Sequence, residues 1–137
     1  MNNKEQQIFK EHILVKFNNL LLELITSLAD VCPDSIIGKN ISAIQSVVRR
    51  TKQKDKYVKL FVVKVLKYKK EINNFDEKFF TRGSFNSDAD GNMTVIDHIF
   101  TIQQNVWCNL SSINKMTVFK YMQYLCKYTQ DYLLITR

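Results

Sequence analysis

From Ile13 to Leu28 the apolar residues Ile13, Phe17, Leu20, Leu21, Leu24 and Leu28 fall at spacings of 4, 3, 1, 3 and 4, which draws one stripe along an α-helix. The spacing predicts a helix from about Lys4 to about Val31. It must stop before Pro33, because the residue preceding a proline is pushed out of the helical region. So long a stripe needs further apolar elements to cover it. Three glycines and one proline in 137 residues leave little material for hairpins and sheet edges, so the covering elements are expected to be helices too.

The rest of the chain continues the pattern. Asp34 or Ser35 can cap a second helix with the stripe Ile37, Ile41, Ile44 and Val48. After a polar connector, Arg49 to Asp55, Asp55 is placed to cap a third helix from Lys56 to about Glu71. Four β-branched residues make a strand the competing reading for Tyr57 to Leu66. The helix is preferred because the apolar run does not alternate and no second β-like segment exists to pair with it. Asp76, Glu77, Phe79 and Phe80 suggest a short helix or turn, and Gly83 to Asn92 reads as a loop. Ile96, Ile99, Val106 and Leu110, flanked by Phe100 and Trp107, mark a fifth helix. A last helix starting near Ser112 presents Val118, Met122, Leu125, Tyr128, Tyr132 and Leu133. The expected fold is all-α, a compact bundle of five or six helices in a single domain spanning residues 1–137.

No stretch is apolar enough to span a bilayer, and Met1 to Gln7 is polar with no apolar run behind it. Cys32, Cys108 and Cys126 are odd in number and widely spaced, unlike a disulfide scaffold. Both features point to an intracellular protein.

Charge is concentrated. Between Arg49 and Lys70 lie ten of the twenty Lys and Arg residues and a single acid, Asp55, so this segment alone exceeds the net +7 of the chain. On a regular third helix Lys56, Lys59, Lys67 and Lys70 fall within about 80° of one another, a ridge suited to successive phosphates. Arg49, Arg50, Lys52 and Lys54 extend it from the connector, and Tyr57 and Tyr68 interleave as candidate stacking groups. The competing reading is a solvated or protein-binding face. The connector's charge reads as the less informative half, the helical ridge as the binding surface.

The order Phe17-Asn18, Leu20, Leu21, Val31, Pro33-Asp34, Asp76-Glu77, Phe79-Phe80, Trp107, Leu110, Asn114-Lys115, Phe119-Lys120-Tyr121 and Leu125 resembles a group of small helical proteins of large nucleocytoplasmic DNA viruses, mimivirus-like and marseillevirus-like. The resemblance spans nearly the whole chain and brings no catalytic residue set. It departs in the loop, Asn86 to Asn92, and at Val118-Phe119, where the more usual pair is Ile-Trp. It implies a viral setting: host cytoplasm or nucleus, or the virion.

Chemistry is otherwise thin. Asn86, Asp88, Asp90, Gly91, Thr94 and Asp97 sit at the ligand and glycine positions of an EF-hand calcium loop. Asn86 replaces the usual Asp and Asp97 the bidentate Glu, Gly83 falls where the incoming helix belongs, and no partner hand exists, so no metal is expected. Cys108 and His98 lie about 15 Å apart along one expected helix, too far for a thiolate and its base. Tyr121, Tyr124 and Tyr128 offer an aromatic face for a protein partner or a homo-oligomer seam. The expected function is therefore non-enzymatic, with no cofactor and no small-molecule substrate: an interaction or scaffold protein using basic and aromatic helical faces. A nucleic-acid-binding module using the lysine ridge is the alternative.

Overall fold

The computed structural model describes residues 2–77 and 110–136. The chain is a bundle of α-helices, with no strand among the described residues. Its elements are α1 (Asn3–Val31), α2 (Ile36–Lys39), α3 (Ile41–Arg50), α4 (Lys56–Lys64), a 3-10 turn (Leu66–Tyr68), α5 (Lys69–Asn73) and α6 (Ser112–Thr136).

The long first helix forms as its stripe requires, started by Asn2, whose side chain accepts from the Glu5 N–H at 2.8 Å. Its buried face is wider than the stripe, taking in Leu14 and Ile25 while Leu20 is only half-buried. The reason is that α1 has neighbours on two flanks: α6 on one and the α2–α3 pair on the other, with α4 wedged against it. Leu24, Leu28 and Val31 share a cleft with Asn114, Val118 and Tyr121, while at the opposite end the Lys10 ammonium stands 6.0 Å from the Tyr132 ring centre. The two long helices are therefore antiparallel. Phe17 and Phe61, both fully buried, meet edge to face at 5.4 Å between ring centres and tie α4 to the pair.

Ser35 is the helix cap of the second unit: its Oγ accepts from the Gly38 N–H at 3.0 Å and donates to the Cys32 carbonyl at 2.6 Å. The single helix expected here is divided. It stops after one turn at Asn40, which departs from helical geometry and whose amide donates to the Ile36 carbonyl at 2.8 Å. The stripe survives the break, with Ile37, Ile44 and Val48 buried and Ile41 half-buried.

The third expected helix is corrected more severely. It ends at Lys64, and Val65 takes φ −121°, ψ −40° before the 3-10 turn. Val58, Val62, Val63 and Val65 lower helix propensity here, and the break lets Val65 stay buried while α5 turns to set Ile72 against α6. Asp55 occupies the position before α4, where its carbonyl accepts from the Lys59 N–H at 3.1 Å, but its side chain caps none of the backbone N–H groups of α4; its carboxylate is engaged elsewhere. α5 ends with Phe75 at φ 54°, the left-handed position that glycine usually fills. Asp76 N–H bonds the Glu71 carbonyl at 2.9 Å and Phe75 N–H the Ile72 carbonyl at 3.2 Å. The Phe75 ring packs edge to face on Phe119 at 5.6 Å, which offsets the cost of that backbone geometry.

Candidate functional site

The basic segment is split by its surroundings. Lys59 Nζ lies 2.9 Å from Asp55 Oδ2, and the Tyr132 hydroxyl donates to the same oxygen at 3.2 Å. The Lys59 ammonium, assisted by Tyr132, holds Asp55 below the usual carboxylate range, and Asp55 in turn raises Lys59. Burial first, and the Asp55 charge second, push the Tyr132 phenol up. The Asp55–Tyr132 bond thus ties α6 to the start of α4, and Lys59 is the exposed ion-pair partner of that carboxylate. Lys67 belongs to the 3-10 turn and Lys70 to α5, so the break after Lys64 removes the continuous ridge that a regular helix would carry. Tyr57 is buried and its hydroxyl lies 3.1 Å from Thr51 Oγ1, which withdraws its ring from base stacking. Lys56 and Lys67 lie over the Tyr57 and Tyr68 rings at 5.7 and 5.3 Å.

The Asp55 contact sets a pH dependence. A carboxylate whose folded-state pKa is depressed contributes stability above its unfolded value, about 3.9, and loses that contribution as pH falls through the folded value. Asp55→Asn is expected to flatten the acid limb of stability against pH below about 4 and to lower the Tyr132 titration midpoint without restoring it fully, because burial persists. Urea melts at stepped pH and carbon-detected NMR of labelled tyrosine check both; an unchanged Tyr132 midpoint would show that the carboxylate does not act on it.

The cations of the α3–α4 junction have the more distinctive setting; Arg49 and Arg50, expected in the connector, close α3 instead, and only Lys52 and Lys54 belong to the connector. Arg49 and Lys54 stand on the rim of a cleft of about 480 Å³ between α1 and the α3–α4 connector. Leu14, Val15, Leu22 and Val48 supply its apolar lining, and Glu11, Asn18 and Asn19 its polar side on α1. Two hydrogen bonds hold the walls together: Asn18 Nδ2 donates to the Lys54 carbonyl at 3.0 Å, and Gln45 Nε2 donates to Thr26 Oγ1 at 2.9 Å. Because residue 45 pairs with 26 and residue 54 with 18, this stretch runs antiparallel to α1. Arg49, Arg50, Lys52 and Lys54 are all exposed, and none forms an ion pair among the described residues.

Of the three tyrosines expected to make an interface, only Tyr124 is exposed, at 56 %; Tyr121 and Tyr128 lean on the core. Tyr124 has exposed Lys120 and Lys127 one turn to either side. Cys126 is buried, and burial drives its thiol up to about 12, far from the thiolate that nucleophilic chemistry needs. Burial also raises the Cys32 thiol. The EF-hand-like positions Asn86, Asp88, Asp90 and Asp97, the fifth expected helix, Phe79, Phe80, His98, Trp107 and Cys108 lie outside the described residues. Among the described residues no group of three His, Cys, Asp or Glu is placed to hold a metal ion, and no helix is long and apolar enough to cross a membrane.

Comparison with protein-family models, with curated proteins and with solved structures finds no match to this chain.

Proposed function

We propose that this chain is a non-enzymatic interaction protein that binds an acidic partner protein through the basic surface at the α3–α4 junction. The viral setting implied by the sequence resemblance is part of the same proposal. The observation that carries it is the placement of Arg49 and Lys54 on the rim of an apolar cleft, beside exposed Arg50 and Lys52. Cations around an apolar lining suit a protein segment, which brings side chains to bury as well as charge to meet. A nucleic acid is favoured instead by cations in a row, and here Lys59 is paired and the ridge interrupted.

Fluorescence polarisation tests the reading, with a labelled poly-glutamate peptide and with duplex and single-stranded oligonucleotides at low and moderate salt. The expected result is peptide binding that weakens with salt, falls about tenfold or more in the fourfold reversal Arg49→Glu, Arg50→Glu, Lys52→Glu and Lys54→Glu, and persists in the reversal of Lys56, Lys67 and Lys70. Indifference to the first reversal overturns it. Tighter oligonucleotide binding that is lost in the second reversal favours the nucleic-acid module.

A further inference from the structure

The cleft itself has a direction. Glu11 lies toward one end of its α1 wall and Leu22 toward the other, a separation of about 16 Å along the helix axis. Since the connector runs antiparallel to α1, Lys54 sits by Asn18, and Arg49 sits further toward Leu22. The cationic end is therefore the Asn18–Leu22 end, and the acidic end is Glu11, which is itself exposed and accepts from Gln7 Nε2 at 3.0 Å. Between them lie Leu14, Val15 and Tyr57, with Val15 57 % exposed beside buried Leu14. Asn18 Oδ1 adds a polar demand: it is buried and has no hydrogen-bond partner. An acceptor left without a partner is costly, and a donor entering the cleft would satisfy it.

Resting on the function proposed above, we infer that this cleft docks a short extended segment of the partner protein, about five residues at roughly 3.3 Å each. The segment carries an acid over Arg49 and Lys54, an aliphatic or aromatic side chain on the Leu14–Val15 lining, and a basic or amide group at Glu11. The apolar lining gives the site its affinity, and the opposed charges at its ends fix the direction in which the segment lies.

Selection of a random peptide library displayed on phage against the full chain tests this, with counter-selection against Val15→Trp, which fills the cleft from an exposed position. Enriched peptides are expected to combine an acid, a central apolar residue and a base or amide in that order or its reverse. Their synthetic versions are expected to weaken about tenfold in Val15→Trp and again in the double variant Arg49→Glu, Lys54→Glu, and to shift the Asn18 side-chain amide resonances. Poly-glutamate, which needs only the basic surface, is expected to lose far less affinity in Val15→Trp than the selected peptides do. Enriched peptides that ignore Val15→Trp, or lack the apolar residue, overturn the cleft assignment while leaving the basic surface standing. Loss of poly-glutamate binding in neither charge variant overturns the functional reading itself. Circular dichroism of both variants secures the fold.

Discussion

Phe17→Ala is expected to destabilise the protein by about 3–5 kcal/mol, a large share of the roughly 5–15 kcal/mol that holds a domain of this size together. Phe17 has no exposed surface and meets Phe61, itself 1 % exposed, at 5.4 Å and 80° between ring planes. The ring is where α1 receives α4, so its removal leaves a void bounded by two helices whose positions are fixed by other contacts, α4 against α6 and α1 against α6. A void so framed collapses poorly, which puts the cost toward the upper part of the range. Phe17→Leu, keeping most of the volume, should cost about half as much or less. Chemical denaturation read by far-ultraviolet circular dichroism gives both values, and a loss under about 1 kcal/mol for the alanine variant would show that the ring does not wedge the helices apart.

Gly38→Ala should be the second large effect, and its sign is opposite to propensity. Alanine is favoured over glycine within a helix by about 1 kcal/mol. At Gly38, however, an added methyl would meet the Cys32 carbonyl oxygen at 2.5 Å and the Pro33 carbonyl more closely still. These are backbone atoms of the turn that carries the chain from α1 into α2, and that turn is also held by the Ser35 cap. They cannot move aside as a flexible side chain does. A net loss of about 1–3 kcal/mol is expected, seen as a lower Tm by several degrees. Ser42→Ala, on an exposed face of α3, is the control and should change stability by no more than about 0.5 kcal/mol. Stabilisation by Gly38→Ala would mean the turn is looser than its geometry shows.

The helices that proved legible in the sequence are those whose apolar period is long and whose ends carry capping chemistry. Ile13 to Leu28 with Pro33 beyond, and Val118 to Tyr132, need nothing from the rest of the chain to be recognised. The breaks at Asn40 and Val65 are different. Ser35, Gly38 and Asn40 in sequence are compatible with one helix, and nothing local announces that Asn40 leaves helical geometry. The valines around Val65 weaken a helix without saying where it yields, and the burial of Val65 and Ile72 selects the place.

The candidate site is only partly legible for the same reason. The lysine ridge was a projection along one regular helix, whereas the cleft is a product of residues brought together from α1 and the connector, such as Asn18 and Lys54. One signal was available: Asn18 and Asn19 interrupt an otherwise apolar stretch of α1, and paired amides there ask for backbone partners from another segment. Tyr132 and Asp55 show the same limit, since nothing local announces a contact across 77 residues.

The pairing of α1 with α6 also sets the order in which the protein can be made. As α1 leaves the ribosome its apolar face has no lasting partner, because α6 follows only after about 80 further residues, some 4–16 s of synthesis. During that interval α2 and α3, which pack on α1 through residues such as Ile37, Ile44 and Val48, are the helices close behind it that can shield part of the stripe. Contacts of such wide separation along the chain also slow folding relative to bundles built from adjacent helices. The nascent N-terminal half is thus the stage at which this chain is most open to chaperone capture or aggregation.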